Sequence, residues 1–194
     1  GMTGNPPPDM VERAPIVPAG TGAFWTDQLN NEDQLTAYRR MGDEIWDQAQ
    51  GRVDAFVQSV GTAASVRGVG EALRGREPNG RIVAVGPAES PVLSGGDTGS
   101  HKIDGVGAGF VVPLWHEQVA DRIEQVSTEE AVAMALRLAR EEGLFAGTST
   151  GANVVAALRL AETLAPGTTV VTVMCDTGMK YLRMYGAELR RENG

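Results

Sequence analysis

Cysteine occurs once in the 194 residues, and Lys plus Arg (17) fall short of Asp plus Glu (25). Each shortage excludes something. A single Cys175 leaves no internal disulfide, and such usage fits a reducing, cytoplasmic setting. It ends the apolar run Val170-Val171-Thr172-Val173-Met174-Cys175, where a small buried hydrophobe is expected rather than a reactive thiol. A formal net charge of -8 without a Lys/Arg cluster argues against a nucleic-acid backbone as partner. No apolar run approaches about 18 residues, so no transmembrane helix is expected. The first residues lack the basic-then-apolar pattern of a signal peptide. No metal site is read. Gly-x-Gly-x-x-Gly after a strand is missing as well, which argues against a generic dinucleotide-binding fold.

What is present reads as one globular domain. Hydrophobic residues at 42% and charged residues at 22% are ordinary for a soluble core-bearing chain. Gly1 ahead of Met2 reads as a tag remnant. Residues 1–22, with Pro6-Pro7-Pro8, Pro15 and Pro18, read as a flexible arm, which leaves residues 23–194 as the domain. Along that domain the pattern predicts a short strand at 23–26 and a helix over 31–48, with Leu35, Tyr38, Met41, Ile45 and Trp46 near helical spacing. A strand at 53–60, a helix at 63–76, the turn Pro78-Asn79-Gly80 and a strand at 81–85 make a parallel crossover unit. Residues 87–113 are Gly- and Ser-rich and irregular, the kind of long stretch that is usually functional or disordered. Ser127 with Glu130 is a capping box for a helix over 127–142. A helix at 152–164, a buried strand at 168–174 and a closing helix over 178–192, broken near Gly186, complete the series. The fold class is α/β: a mostly parallel sheet with helices on both faces.

Open α/β sheets bind ligands at the carboxyl ends of their strands, so three turns matter. The first is Gly61-Thr62-Ala63-Ala64-Ser65. A glycine for the sharp turn, the free amides of a helix N-terminus and two hydroxyls make an anion cradle without any cation. The second is Gly147-Thr148-Ser149-Thr150-Gly151 and the third Cys175-Asp176-Thr177-Gly178. Each alone is as consistent with a capped turn as with a site.

Their order turns three weak signals into a strong one. From about Gly22 to Tyr185 the chain resembles the cysteine synthase (O-acetylserine sulfhydrylase) and cystathionine β-synthase family of pyridoxal-phosphate (PLP) enzymes, of fold type II. The resemblance rests on Phe24-Trp25-Thr26-Asp27-Gln28-Leu29-Asn30-Asn31, the Gly61-Thr62 loop, Pro87-Ala88-Glu89-Ser90-Pro91 and Ser149-Thr150-Gly151-Ala152, with Asp176-Thr177-Gly178 before Tyr181-Leu182. His101-Lys102-Ile103-Asp104-Gly105-Val106-Gly107-Ala108-Gly109-Phe110 favours cysteine synthase over its relative. The resemblance implies that Gly61, Thr62, Ala63, Ala64 and Ser65 bind the PLP phosphate. It implies that Ser149 meets the pyridine nitrogen, that Gln28 helps hold the substrate carboxylate and that Gly105 lies beside the bound amino acid. It also implies that the chain is most of the family's larger, C-terminal domain.

The chain departs from the family in ways that bear on activity. The family carries its cofactor on a lysine in an N-terminal segment that has no match here, and the two lysines present, Lys102 and Lys180, fall at non-catalytic places. No catalytic residue is therefore expected in this chain. Ala63-Ala64 replaces a Gly-Gly pair; helical backbone is expected there, which alanine would suit. Gly86 stands where a glutamate is usual. Three readings follow: a partial β-replacement enzyme completed by a separate N-terminal chain, a non-catalytic PLP- or anion-binding module, or a regulatory subunit paired with an intact paralogue. All three share the fold; a small-molecule amino-acid substrate is expected as the enzyme's partner, and a homo-oligomer or a complementary N-terminal chain as the assembly.

Overall fold

In a computed structural model, the structure describes residues 20–192, so most of the expected arm lies outside the described residues. Numbered in chain order, the elements are α1 (Asp33–Gln48), β1 (Ala55–Ser59), α2 (Ala64–Arg76), β2 (Arg81–Pro87), β3 (Arg122–Val126), α3 (Thr128–Glu141), α4 (Thr148–Ala161), β4 (Val170–Thr172) and α5 (Leu182–Glu192). The strands form one sheet in the order β3-β2-β1-β4, and every neighbouring pair is parallel. Among the described residues, no helix is long and apolar enough to cross a membrane.

The two-residue period of the strands builds both faces. Phe56, Ile82 and Ala84 point to one side, into a core shared with Leu35 of α1 and Val66, Val69 and Leu73 of α2. Ala55, Val57, Val83 and Val85 point to the other, against Ala131 of α3 and Ala152, Val155, Ala156 and Leu160 of α4. β1 is buried along its whole length, as a central parallel strand covered on both faces must be. A third cluster joins Val132, Ala135 and Leu136 of α3 to Tyr181 and to Tyr185 of α5. The α/β class with helices on both faces thus stands as the sequence predicts.

Several boundaries differ, each for a physical reason. Residues 23–26 form no strand, because no strand of the described sheet pairs with them. β3 is a strand that the pattern did not predict; Arg122-Ile123-Glu124-Gln125-Val126 is mostly polar and joins the sheet at its edge. α4 starts at Thr148, four residues earlier than expected, so the hydroxyl-rich turn is its first turn. That early start needs Gly151: a Cβ there would lie 2.0 Å from the carbonyl oxygen of Ala131, so only glycine lets α4 press against α3. The last segment is a 3-10 turn, Gly178–Tyr181, followed by α5, which continues through Gly186.

The capping box forms as the spacing predicts. The Ser127 hydroxyl accepts from the Glu130 amide at 3.2 Å, and the Ser127 amide donates to Glu130 Oε2 at 3.0 Å. Glu130 also pairs with Arg159 of α4, whose guanidinium donates to the carbonyl of Gln125 at 2.9 Å. One carboxylate thus ties the start of α3 to α4 and to the end of β3. The Ser127 amide is the main influence holding the Glu130 carboxyl below its ordinary value of 4.5; partial burial opposes it, and the Ser127 hydroxyl and Arg159 reinforce it.

A carboxyl with a depressed folded-state pKa stabilises the fold above its unfolded pKa, and that contribution fades as the pH falls through the folded value. Glu130→Gln keeps a capping amide but loses the ion pair. It should be less stable than the parent at pH 7, by about 0.5 kcal/mol, the usual scale of a half-exposed pair. The gap should narrow as the pH falls below 4.5 and close beneath the depressed folded-state value. Urea denaturation at several pH values checks this, and a pH-independent gap would rule out the ionic contribution.

Candidate functional site

The chain leaves β1 through α2 to reach β2 on one side, while β4 joins β1 on the other. The direction of winding therefore reverses between β1 and β4, and such a reversal opens a crevice at the carboxyl ends of the strands. A cavity of about 350 Å³ occupies that place. Gln28, Gly61, Thr62, Ser65, Gly105 and Ser149 all line it. Six of the eight residues singled out from the sequence thus come together. The other two, Ala63 and Ala64, are 1% and 0% exposed and point into the core beneath the loop, so only their backbone can serve the cavity.

The first wall is the turn from β1 to α2. A Cβ on Gly61 would lie 2.5 Å from the Gly105 carbonyl oxygen, so glycine is required by the close approach of the two loops. The Gly107 amide, donating to the Val60 carbonyl at 3.0 Å, holds them together. Thr62 Oγ1 accepts from the Ala64 amide at 3.3 Å. Ser65 and Val66 carry the next amides of the first turn, which a helix leaves without intrahelical partners and which give that end positive potential. Ala63 corrects the expectation of helical backbone. Its φ is 70°, left-handed, and α2 begins only at Ala64. The turn needs a residue at positive φ between a strand end and a helix start, and alanine meets that need at a cost of about 1–2 kcal/mol.

The second wall is the first turn of α4. Its three hydroxyls, alike in sequence, have separate tasks. Thr148 Oγ1 accepts from the Asp104 amide at 3.1 Å and Thr150 Oγ1 from the Cys175 amide at 3.0 Å, so both hold neighbouring loops. Ser149 lies between them, 4% exposed, on the cavity. Among the described residues, no group hydrogen-bonds to its hydroxyl. The Gly147 amide donates to the Asp176 carbonyl at 3.0 Å, and an isolated bridge joins Ala146 to Thr177, so the turn at 176–178 is fixed to this wall.

The rim carries the charges. Asp176 Oδ2 accepts from Lys180 Nζ at 2.9 Å and from the Tyr181 hydroxyl at 2.9 Å; its Oδ1 is buried without a hydrogen-bond partner. The hydrogen bond and charge of Asp176 raise the pKa of the exposed Lys180 ammonium, which keeps its proton. Burial first, and then Asp176 and Asp104, push the Tyr181 phenol far above its ordinary range, so it stays a donor. A second cavity of about 600 Å³ shares Asp104, Gly105, Val106, Lys180 and Tyr181 with the first and runs on along α5.

Cys175 corrects a second expectation. It is exposed and lines the cavity rather than the core. β4 ends at Thr172, and beyond it the apolar run leaves the sheet. Gln58 and Asn153 were not singled out as site residues, and Cys175 entered only as the first residue of the turn at 175–178; the signal for Gln58 was a polar residue near the end of an otherwise apolar strand. Nothing in the structure explains Gly86 in place of the usual glutamate.

Comparison with known proteins agrees with this fold. The profile of the pyridoxal-phosphate dependent enzyme family matches residues 7–176, starting upstream of Gly22. A cysteine synthase of Staphylococcus aureus is 44% identical over 174 residues, which cover 89% of this chain and 56% of that protein. The chain therefore spans little more than half the length of the curated relatives it matches. Among solved structures, isoform 3 of O-acetyl serine sulfhydrylase from Entamoeba histolytica superposes with a TM-score of 0.85 at 36% identity, covering 91% of this chain and 53% of that one. The O-acetylserine dependent cystathionine beta-synthase from Helicobacter pylori gives 0.84 at 30% identity, covering 89% and 57%.

The left-handed Ala63 makes a paired test. Ala63→Gly relieves strain of about 1–2 kcal/mol but loses a buried methyl worth about 0.8 and gains unfolded-state entropy, so it should be nearly neutral. Ala64→Gly loses an equally buried methyl from helical backbone with no strain to relieve, and should cost about 1–2 kcal/mol. Denaturant midpoints compare the two directly; equal losses would mean that residue 63 is not held at positive φ.

Proposed function

As the chain belongs to the family of pyridoxal-phosphate-dependent enzymes, we propose that its crevice is the cofactor-holding part of a β-replacement site of the cysteine synthase type. The observation that carries this reading is the pairing of a cation-free phosphate cradle on one wall with Ser149, a buried residue whose unpartnered hydroxyl opens on the cavity, on the other. The residues present fit the group. Thr62, Ser65 and the amides at the start of α2 would hold the phosphate, where helix polarity replaces a lysine or arginine. Ser149 would meet the pyridine nitrogen. A neutral hydroxyl there does not hold the ring nitrogen protonated as a carboxylate would. When bound, the cofactor supplies the electron sink for elimination and replacement at the β-carbon of an amino acid. Gln28 and the Gly105 loop, lining the same cavity, would hold the amino-acid carboxylate.

One observation favours a narrower reading of the chain by itself, that of a binding module without turnover. Covalent attachment of an aldehyde cofactor needs a neutral amine. Lys180 is the lysine on the cavity rim, and Asp176 holds it as an ammonium. A complementary stretch of polypeptide would then supply the reacting amine.

Titration with PLP separates the readings. Saturable binding that inorganic phosphate competes away is expected. Borohydride should fix no adduct on Lys102 or Lys180, and O-acetylserine with sulfide should give no cysteine. Gly61→Ala, which drives a methyl into the Gly105 carbonyl, should weaken PLP binding by at least about tenfold, the loss for about 1.4 kcal/mol. A stoichiometric adduct on Lys180 with cysteine formation would overturn the module reading. No PLP binding, or binding indifferent to phosphate and to Gly61→Ala, would overturn the site assignment.

A further inference from the structure

β1 and β4 stay paired only as far as Val57 and Thr172, and beyond that point the strands separate to form the crevice. Separation leaves backbone groups near the bottom of the crevice without a ladder partner. One side chain takes up two of them, one from each strand's continuation. Asn153, 0% exposed and one turn after Ser149 on α4, accepts the Ser59 amide on Oδ1 at 2.7 Å. Its Nδ2 donates to the Val173 carbonyl at 3.0 Å. The side-chain amide thus stands between the parted strands as a peptide group would. The same Nδ2 donates to Gln58 Oε1 at 3.0 Å and lies 3.5 Å from Cys175 Sγ. Gln58, 7% exposed, in turn donates from Nε2 to Ser65 Oγ at 3.4 Å. The partners fix the orientation of the Asn153 amide, since the reverse orientation would set NH₂ against the Ser59 N–H and oxygen against the Val173 carbonyl.

We propose that Asn153, acting with Gln58, is the positioning residue that fixes the spacing between the Gly61–Ser65 cradle and the Ser149 wall. Asn153 and Ser149 sit one helical turn apart on α4, so whatever anchors the first against β1 and residue 173 also places the second. Through Gln58 the same anchor reaches Ser65, and through the carbonyl of Val173 it reaches the chain that carries Cys175. A ligand that touches one wall does not sense this spacing, whereas a ligand that spans both does. Buried amide networks of this kind act as a unit, because a lost member leaves the others unpaired. The inference rests on the cofactor reading for its choice of ligand, but the coupling of the two walls stands on the hydrogen bonds alone.

The test uses the full chain with two probes, PLP, which spans the walls, and inorganic phosphate, which meets only the cradle. Asn153→Leu removes the amide and keeps the branched outline of the side chain. Gln58→Met removes the bonds of residue 58 to Asn153 and to Ser65 and leaves the Asn153 bonds to Ser59 and Val173. PLP affinity should fall at least about tenfold in Asn153→Leu and by a smaller factor in Gln58→Met, while phosphate affinity stays within about twofold. Amide hydrogen exchange supplies a readout without ligand: in Asn153→Leu, protection at Ser59, at Ala64 and at Cys175, whose amides all donate hydrogen bonds, should fall together, with Ile82 to Ala84 of β2 unchanged. Parallel loss of both ligands, unchanged PLP binding, or an exchange effect confined to Ser59 would overturn the proposal. If the parent chain binds neither probe, the cofactor reading fails, and the exchange pattern still decides the coupling. If Asn153→Leu does not fold, the same two ligand titrations on Gln58→Met decide it.

Discussion

The parting of β1 from β4 beyond the Val57–Thr172 pair is the constraint on which the site depends. A parallel sheet that stayed paired to its end would offer backbone to backbone and leave no crevice. The separation exposes amides and carbonyls that must be satisfied in a nearly dry place, and an unsatisfied buried group costs about 1–3 kcal/mol. Asn153 meets that demand from a neighbouring helix. The fold accepts a gap in its sheet because a side-chain amide can take the place of a main-chain one. The gap then becomes the space between a helix N-terminus and a buried serine.

The electrostatics of that space follow from neutral groups rather than from net charge. The chain is acidic, at a formal -8, yet the cradle is built from amides, hydroxyls and the polarity of α2. The cation on the rim is neutralised by Asp176, and the same carboxylate takes the Tyr181 proton donor. Burial and nearby carboxylates keep the phenols of Tyr181 and Tyr185 protonated well above their ordinary range, so neither adds a negative charge beside the cavity. A bound anion would meet donors at the bottom of the crevice and, at the rim, Lys180 set against Asp176 and Asp104.

The fold was largely legible because its central features are strong local signals. The apolar residues within 53–60 and 81–85 mark two strands, and the Ser127–Glu130 spacing marks a helix start. β3 was not legible, since Arg122, Glu124 and Gln125 hide a two-residue period in a strand that lies at the edge of the sheet. Ala63 was misread because a left-handed turn usually announces itself with glycine, and here a non-glycine residue carries the strain. Cys175 was misread because an apolar run does not reveal where its strand stops pairing. The cradle and Ser149 could be named from the order of the motifs. Asn153 could not, because its role comes from the divergence of two strands distant in sequence, and no local pattern encodes that.

The central claim is that a phosphate-bearing pyridine ligand bridges the two walls of the β1–β4 crevice. A crystal structure of the chain grown with PLP tests it most directly. The account predicts the phosphate on the Gly61–Ser65 loop at the start of α2, with the ring nitrogen at Ser149 and no bond to Lys180. A ligand seated instead in the neighbouring cavity along α5, among Lys102, Arg183 and Arg191, would contradict it.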